Sequence, residues 1–385
     1  MILFISHYGG RTGAPVVLFH LLKWLRANTG YEMRVIVRGD GPLVESFKSV
    51  AETAVVEPAP PTNRLGRLVH RLRNKINPVL RHPLPAAWRH MPIDLVYSNT
   101  ITNGVLVSNL AKSGVPVITH VHEMSYWIEN SGADNWQRVM KQTTRFIAVS
   151  RAVKEHLIDK LKVPAELVDV VHAFIPNSKV ITGQRSGVRK QFGIPDDAFI
   201  IGGSGNESWR KGRDLFVQLA ANVHRMLPSA NIHFLWVGYT GDADDQQRLI
   251  HDSTLAGVGD RLHWTGEVSD PDRYFSEFDL FAMVSREDPF PLVCLESALL
   301  GTPILCFADA GGVPELVEED AGFVVPYLDL HTMARRVVEL LENPALTAKF
   351  GKRARDKVLE RHTVERAGPM ILGIIEQELK RAKRS

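Results

Sequence analysis

Short apolar runs alternate with longer stretches of helical periodicity along most of this chain. In its first half the apolar runs cover residues 2–6, 33–38, 94–99, 116–122 and 146–150. The residues between successive runs are numerous enough to form crossover helices. Because strands joined by crossover helices lie parallel, this alternation predicts a parallel sheet with helices on both faces.

The alternation stops over residues 172–196, a polar segment with Gly, Pro and Ser that we interpret as a linker. A second set of apolar runs then covers residues 199–205, 231–238, 261–266, 279–285, 303–307 and 322–326. The length of 385 residues also favours two domains. We therefore predict two doubly wound α/β domains of similar size. In such folds ligands bind at the carboxyl ends of the strands, so the cleft between two domains is the natural site.

Composition excludes several classes of protein. A hydrophobic content of 44% argues against disorder, and two cysteines cannot form a disulfide scaffold or a four-ligand zinc site. Cys294 and Cys306 lie in apolar runs, as expected for reduced core thiols. The N-terminus lacks the basic region and cleavage site of a signal peptide, and no uncharged apolar run reaches about 18 residues. We therefore expect a cytoplasmic protein without a transmembrane helix.

The net charge of +3 hides an acid-free basic stretch over residues 64–90, which carries seven Lys and Arg. On a helix, its leucines at positions 65, 68 and 72 would share one face beside a row of arginines. Two interpretations remain open: a solvated helix packed on the domain, or a basic amphipathic segment lying on an anionic membrane. Trp88 is its one aromatic residue, so nucleic acid is not an expected partner. The candidate membrane contacts are Arg64, Arg67, Arg71, Arg73 and Lys75.

A candidate anion site follows the apolar run 199–205. The turn contains Arg210 and Lys211 and leads into a helix at about Gly212. Free N–H groups and the helix dipole favour phosphate at such a position, although the spacing is not that of a P-loop. An ordinary strand–helix turn with surface cations is the alternative.

The segment 285–296 carries a more specific pattern. An apolar run ends at Ser285, and a helix is predicted to begin around Leu292. Asp288 and Glu296 flank this helix start. Carboxylates accept hydrogen bonds from vicinal hydroxyls, and helix N–H groups bind phosphate, so the combination fits a sugar nucleotide. A capped helix with acids in its first turn is the alternative, but it leaves Glu296 unexplained.

These residues resemble the E-x7-E signature of retaining glycosyltransferases of family 4, which have the two-domain GT-B fold. The resemblance covers nearly the whole chain and is best over residues 199–327. Two positions depart from the family pattern: Asp288 replaces the first glutamate, and Asn206 replaces the usual arginine of the G-R-L turn. The other matched segments are Gly205–Gly212, Leu262–Val268, Gly301–Pro303, Gly311–Glu315, and more weakly Gly13-Ala14, Val121–Glu123 and Ala148–Arg151.

The resemblance implies a role for each domain. Residues 1–178, together with a C-terminal helix over 364–385 that crosses back, should form the acceptor-binding domain. Residues 179–363 should bind the nucleotide sugar.

The resemblance also implies residue roles. Glu296 should bind the ribose, Asp288 the hydroxyls of the transferred sugar, and Lys211 the leaving diphosphate. His122 should face the reacting sugar across the cleft, and a buried structural histidine is the alternative. From strand geometry we expect His120 on the opposite side of the strand. The implied catalytic residues are His122, Lys211 and Asp288. The implied donor-binding residues are Gly13, Gly205, Asn206, Arg210, Lys211, Gly266, Val268, Asp288, Phe290, Pro291, Leu292, Val293 and Glu296.

The implied reaction transfers a hexose from a UDP-, GDP- or ADP-sugar to a hydroxyl of a glycan or lipid-linked acceptor, with retention of configuration. Polysaccharide, lipopolysaccharide or glycolipid assembly at the cytoplasmic membrane face is the implied setting. Neither a protein nucleophile nor a metal or other cofactor is expected. The D-x-D sequence at Asp242–Asp244 is interpreted as a solvated acidic loop.

Other functions remain as alternatives. A sugar-nucleotide epimerase shares the fold but would need added acid–base carboxylates and no acceptor. A sugar-nucleotide-binding protein without turnover would be compatible with the departures at Asn206 and Asp288. A nicotinamide oxidoreductase is disfavoured, because no G-x-G-x-x-G follows a strand with an acidic partner about 20 residues later.

Overall fold

The structure is a computed structural model that describes residues 1–57, 84–111, 114–177, 187–238 and 241–384. The chain divides into two compact units. The first comprises Met1–Pro176 together with Val364–Ser385, and the second comprises Asn177–Thr363. Each unit is built on one sheet, and the strand pairs within both sheets are parallel, which confirms the predicted α/β class.

The first unit has a seven-stranded sheet in the order β3-β2-β1-β4-β5-β6-β7. Its interior strand β1 is buried over its first five residues, which is why it appears in the sequence as a continuous apolar run. The strands are β1 (Ile2–Tyr8), β2 (Met33–Gly39), β3 (Glu52–Glu57), β4 (Leu95–Ser98), β5 (Val117–Val121), β6 (Arg145–Ala148) and β7 (Val168–Val170).

Helices cover this sheet, and the C-terminal helix α15 belongs to the same unit. Gly368 of α15 packs against the Trp24 ring of α1, where an added Cβ would come within 2.5 Å of the ring. Thr144 also donates a hydrogen bond of 2.6 Å from its Oγ1 to Glu378 of α15. The helices of the unit are α1 (Gly13–Asn28), α2 (Val44–Val50), α3 (Gly104–Leu110), α4 (Ser125–Asn130), α5 (Ala133–Gln142), α6 (Arg151–Glu155) and α15 (Val364–Ala382).

The second unit has a six-stranded sheet in the order β10-β9-β8-β11-β12-β13. Its strands are β8 (Phe199–Ser204), β9 (Ile232–Val237), β10 (Leu262–Trp264), β11 (Leu280–Met283), β12 (Ile304–Phe307) and β13 (Gly322–Val325). Its helices are α7 (Val188–Phe192), α8 (Arg213–Met226), α9 (Ala243–Leu255), α10 (Asp272–Phe275), α11 (Leu292–Leu299), α12 (Val313–Val317), α13 (Leu330–Glu342) and α14 (Pro344–Arg361).

Parts of the sequence interpretation needed correction. Strands β3 and β7 were not predicted, because β3 mixes Glu and Thr with its valines and β7 is only three residues long. The linker prediction over 172–196 was wrong in part. Phe174 and Ile175 are core residues, and the short helix α7 lies within the same segment.

The candidate membrane contacts Arg64, Arg67, Arg71, Arg73 and Lys75 lie outside the described residues. At the described end of the basic stretch, Trp88 is buried and its Nε1 donates a 2.7 Å hydrogen bond to Glu52. In the part of the chain that the structure describes, every helix is too short or too polar to cross a bilayer.

Both cysteines are buried free thiols of the second unit. Burial raises the pKa of each thiol, which keeps both protonated.

Candidate functional site

The first unit gathers polar residues at the carboxyl ends of three adjacent strands. His7 lies near the end of β1, Asn99 follows β4, and His122 follows β5. These strands are neighbours in the sheet order β1-β4-β5, so parallel topology brings the three positions to one edge. The edge therefore combines imidazole and amide side chains that the sequence separates by more than 110 residues.

His122 and His120 lie on the same side of β5, and the expectation of opposite sides was wrong. Their ring centroids are 4.2 Å apart. Side chains alternate along a strand with a period of two, so residues two apart share a face. His120 Nδ1 is also hydrogen-bonded to the Tyr97 hydroxyl at 2.8 Å.

The three histidines at this edge are held neutral. Burial lowers the pKa of His120 to about 3, and burial together with Arg38 lowers the pKa of His7 to about 4. Burial, with smaller effects of His120 and His7, lowers the pKa of His122 well below its usual value. The edge can therefore offer neutral nitrogen acceptors near pH 7.

Glu123 joins the ends of β4 and β5. Its carboxylate accepts hydrogen bonds from the Thr100 hydroxyl, from the Ile101 N–H at 3.4 Å and from the His122 N–H at 3.0 Å. Burial raises the pKa of Glu123 to about 7, and these hydrogen bonds limit the rise. The residue matched a weak family segment but had no predicted role.

Gly13 is the first residue of α1 and is exposed. The preceding Thr12 makes no side-chain cap, and an added Cβ at Gly13 would meet nothing within 4 Å. The first turn of this 16-residue helix is therefore accessible, as the predicted approach of a ligand to Gly13 requires.

In the second unit, the turn after β8 brings Lys211 over the sheet edge. Gly205 lies directly beneath the Lys211 side chain, because an added Cβ there would come within 2.9 Å of Lys211 Cγ. Gly212 has φ +74°, and an added Cβ would lie 2.2 Å from the Val284 carbonyl oxygen. Both glycines are therefore required by the backbone path that positions Lys211.

Asp288 is the acceptor for two cations. Lys211 Nζ lies 2.6 Å from Asp288 Oδ2, and Arg210 Nη1 lies 3.2 Å from the same oxygen. Asp288 is 6% exposed, and all three side chains are largely buried. Burial lowers the pKa of Lys211, while Asp288 opposes that shift. Arg210 thus points inward, toward Asp288.

Arg286 fixes the turn that carries these cations. Its guanidinium makes a bidentate pair with Asp214, at 2.9 and 2.6 Å, and lies 4.9 Å from the centroid of the Trp209 ring. Its backbone N–H donates a 2.7 Å hydrogen bond to the Arg210 carbonyl oxygen. Sequence reasoning missed Arg286, because its partners lie more than 70 residues away along the chain.

Helix α11 begins at Leu292, as predicted, and has no side-chain cap at Pro291. The N–H groups of Leu292 and Val293 are in its first turn and are not used by the helix itself. Glu296 lies one turn further and is half-buried. The Phe290 side chain is buried against His362, so only its backbone can contact a donor.

The remaining predicted donor residues lie at the same carboxyl edge of the second sheet. Gly266 has φ +70° with open space above it, and Val268 is half-buried. Asn206 is exposed, and its Oδ1 accepts a 3.2 Å hydrogen bond from the Ser208 N–H. A phosphate oxygen accepts hydrogen bonds, so Asn206 could donate to it from Nδ2 while Oδ1 stays bonded within the turn.

The D-x-D sequence is exposed, as expected, but it begins helix α9 and does not form the expected loop. Asp242 caps α9 by accepting hydrogen bonds from the N–H groups of Asp244 and Asp245, at 3.0 and 3.1 Å. Among the described residues, no group of three or more His, Cys, Asp or Glu is arranged to hold a metal ion.

Matches to known family models divide the chain at nearly the same place as the two compact units. Residues 11–179 match the model described as Glycosyltransferase Family 4, and residues 184–357 match the model described as Glycosyl transferases group 1. The chain belongs to glycosyltransferase family 4.

Curated relatives of this family 4 member include bacterial enzymes. The O-antigen biosynthesis glycosyltransferase WclY of Escherichia coli is 27% identical over 159 residues, which cover 38% of this chain and only 42% of WclY. D-inositol 3-phosphate glycosyltransferase 1 of Catenulispora acidiphila is 25% identical over 349 residues, which cover 84% of this chain and 81% of that protein.

Solved structures share the fold of this family 4 member. HepE of Anabaena, solved in complex with UDP and glucose, matches with a TM-score of 0.81 and 22% identity, covering 97% of this chain and 99% of HepE. WaaG, a glycosyltransferase involved in lipopolysaccharide biosynthesis, matches with a TM-score of 0.70 and 15% identity, covering 96% of this chain and 98% of WaaG. These similarities confirm the predicted GT-B fold.

We predict that Glu123→Gln gains stability relative to the parent as pH rises. The folded pKa of Glu123 is about 7 and its ordinary value is 4.5, so ionisation of Glu123 destabilises the parent above pH 4.5. Between pH 5 and pH 8 the difference in the free energy of unfolding should move by about 2–3 kcal/mol in favour of the variant. Urea denaturation at both pH values measures this, and a difference that does not change with pH would contradict the assignment.

Proposed function

We propose that this chain is a retaining glycosyltransferase whose second unit binds a nucleotide sugar. The observation that carries the proposal is the contact of Lys211 and Arg210 with Asp288, next to the uncapped start of α11. Two cations thus contact Asp288, which lies four residues before a helix start with free N–H groups. A diphosphate needs such surroundings, both when it binds and when it leaves with additional negative charge.

The surroundings of the two buried cations favour the binding of an anionic ligand. Burial lowers the pKa of Lys211, and the negative charge of Asp288 opposes this effect. A bound diphosphate would add negative charge close to Lys211 and would thereby favour the protonated form of its side chain. In the proposed reaction, Lys211 and Arg210 stabilise the leaving nucleoside diphosphate without a metal ion.

The two carboxylates of the signature then bind hydroxyls. Both cation contacts use Oδ2 of Asp288, so within the described residues Oδ1 is not used by either cation. We assign Oδ1 to hydroxyls of the transferred sugar and Glu296 to the ribose. The N–H groups of Leu292 and Val293 bind the phosphates, and the backbone at Gly266 and Val268 lies beside the base.

The related proteins support a particular class of substrate. HepE was solved with UDP and with UDP-glucose, and the aligned curated relatives act in O-antigen biosynthesis or on D-inositol 3-phosphate. We propose a UDP-hexose donor and an acceptor hydroxyl on a growing polysaccharide, lipopolysaccharide or glycolipid. His122 and Gly13 of the first unit are proposed to contact the reacting sugar and the donor phosphate or acceptor, respectively.

We predict that Lys211→Ala and Glu296→Gln each lower turnover by about 100-fold or more without unfolding the protein. Lys211→Ala removes a cation from the leaving group, and Glu296→Gln removes the charged acceptor for the ribose. The assay screens UDP-, GDP- and ADP-sugars by thermal shift, then measures transfer, with the anomeric configuration of the product read by NMR.

Lys352→Ala is the matched control for these variants. Lys352 is a lysine of the same unit whose side chain is 79% exposed and pairs with Asp356, so its replacement should leave turnover unchanged. Near-parental turnover in Lys211→Ala would refute the site, and an inverted product would refute retention. Formation of an epimer from the nucleotide sugar alone would favour the epimerase alternative.

We also propose that the basic stretch 64–90 brings the enzyme to an anionic membrane surface at the cytoplasmic face. The support is the run of Lys and Arg without acids, a composition that favours binding to anionic lipid. The triple variant Arg67→Gln, Arg71→Gln, Arg73→Gln should lower co-sedimentation with phosphatidylglycerol-containing vesicles, and high salt should do the same. Co-sedimentation that is independent of anionic lipid, or unchanged in the variant, would contradict this localisation.

A further inference from the structure

Asn99 connects three chain segments at the carboxyl edge of the first sheet. Its backbone N–H donates a 3.0 Å hydrogen bond to the Ile5 carbonyl of β1. Its side-chain Nδ2 donates a 2.7 Å hydrogen bond to the Ala14 carbonyl at the start of α1. Its Oδ1 lies 3.2 Å from His122 Nε2 at the end of β5. The residue is fully buried, so these contacts fix its orientation.

These contacts determine which nitrogen of His122 carries the proton. A backbone carbonyl can only accept a hydrogen bond, so the Asn99 group facing Ala14 must be the amide NH2. The Asn99 oxygen therefore faces His122, and because that oxygen can only accept, Nε2 of His122 must donate. In a neutral ring the other nitrogen, Nδ1, then carries the lone pair.

The surroundings keep this imidazole neutral. The groups that face it are His120 of β5, His7 of β1, and the Glu123 carboxyl that binds its backbone N–H. Burial and the two histidines all favour the neutral ring. Within the described residues, Nδ1 of His122 has no hydrogen-bond partner, and the side chain is partly exposed.

We propose that Asn99 is a positioning residue that holds His122 as the Nε2–H tautomer, so that Nδ1 accepts a hydrogen bond from a hydroxyl of the bound sugar. The contact with the sugar rests on the proposed function, whereas the tautomer does not. The Nδ1 atom acts as an acceptor only while the ring is neutral. Nothing is transferred to the protein, because the hydroxyl keeps its proton throughout.

The tautomer is measured directly by long-range 1H–15N NMR on the full-length protein labelled at histidine nitrogen. His122→Gln identifies the His122 signals by their loss. The parent should show a protonated Nε2 and an unprotonated Nδ1 for His122 near pH 7, and Asn99→Ala should lose this preference. A protonated Nδ1 in the parent would overturn the proposal even if the protein proves to have no transferase activity.

Activity provides a second readout, and its pH dependence is one that a purely structural role would not change. Asn99→Ala should lower kcat/KM by about tenfold, the effect of one lost hydrogen bond to substrate. In Asn99→Asp a carboxylate faces Nε2 and raises the pKa of His122, so the ring becomes protonated as pH falls. Between pH 8 and pH 6, the kcat/KM of Asn99→Asp should therefore fall by about tenfold more than that of the parent.

Asn135→Ala is the matched control. Asn135 also bridges backbone groups near this edge, with hydrogen bonds to Ile101 and Gly104 of 2.8 and 3.0 Å, but it does not contact His122. The Asn135→Ala variant should keep the parental tautomer and pH profile. Because the pKa of Glu123 is about 7, that parental profile includes any effect of Glu123. If Asn99→Asp and Asn99→Ala kept the parental pH profile and tautomer, the proposal would be wrong.

Discussion

The ion pairs of Asp288 with Lys211 and Arg210 are the contact on which the candidate donor site depends. A largely buried carboxylate shared by two cations is stable only if its geometry is held closely, because burial weakens the hydration that would otherwise stabilise each charge. The chain holds that geometry with backbone. Gly212 allows the turn its left-handed conformation, and Arg286 ties the turn to the loop that carries Asp288.

The same contact suits the binding of a diphosphate that we propose for this site. The cations are already desolvated and oriented, so a diphosphate that replaces the carboxylate as their partner requires little rearrangement of the protein. The candidate edge of the first unit has the opposite character. Its histidines are neutral and the Glu123 carboxyl has a pKa of about 7, so this edge favours contacts with hydroxyl groups over contacts with phosphate.

Much of this architecture could be predicted from the sequence because parallel strands buried on both faces are continuous apolar runs. Helix α11 and Asp288 could be located because a strand end, two prolines and a helix start occur within 12 residues. Strand β3 could not, because its polar residues lower the local hydrophobicity of an edge strand. Arg286 and Asn99 were missed for another reason. Their roles depend on partners brought close only by the fold, such as Asp214 for Arg286 and Ala14 and His122 for Asn99.

The most direct test of the central claim is a crystal structure of the protein with UDP bound. We expect the diphosphate to lie at the start of α11, with Lys211 Nζ moved from Asp288 to a phosphate oxygen and Glu296 on the ribose. A nucleotide bound elsewhere, with the contact between Lys211 and Asp288 unchanged, would contradict the assignment of the donor site.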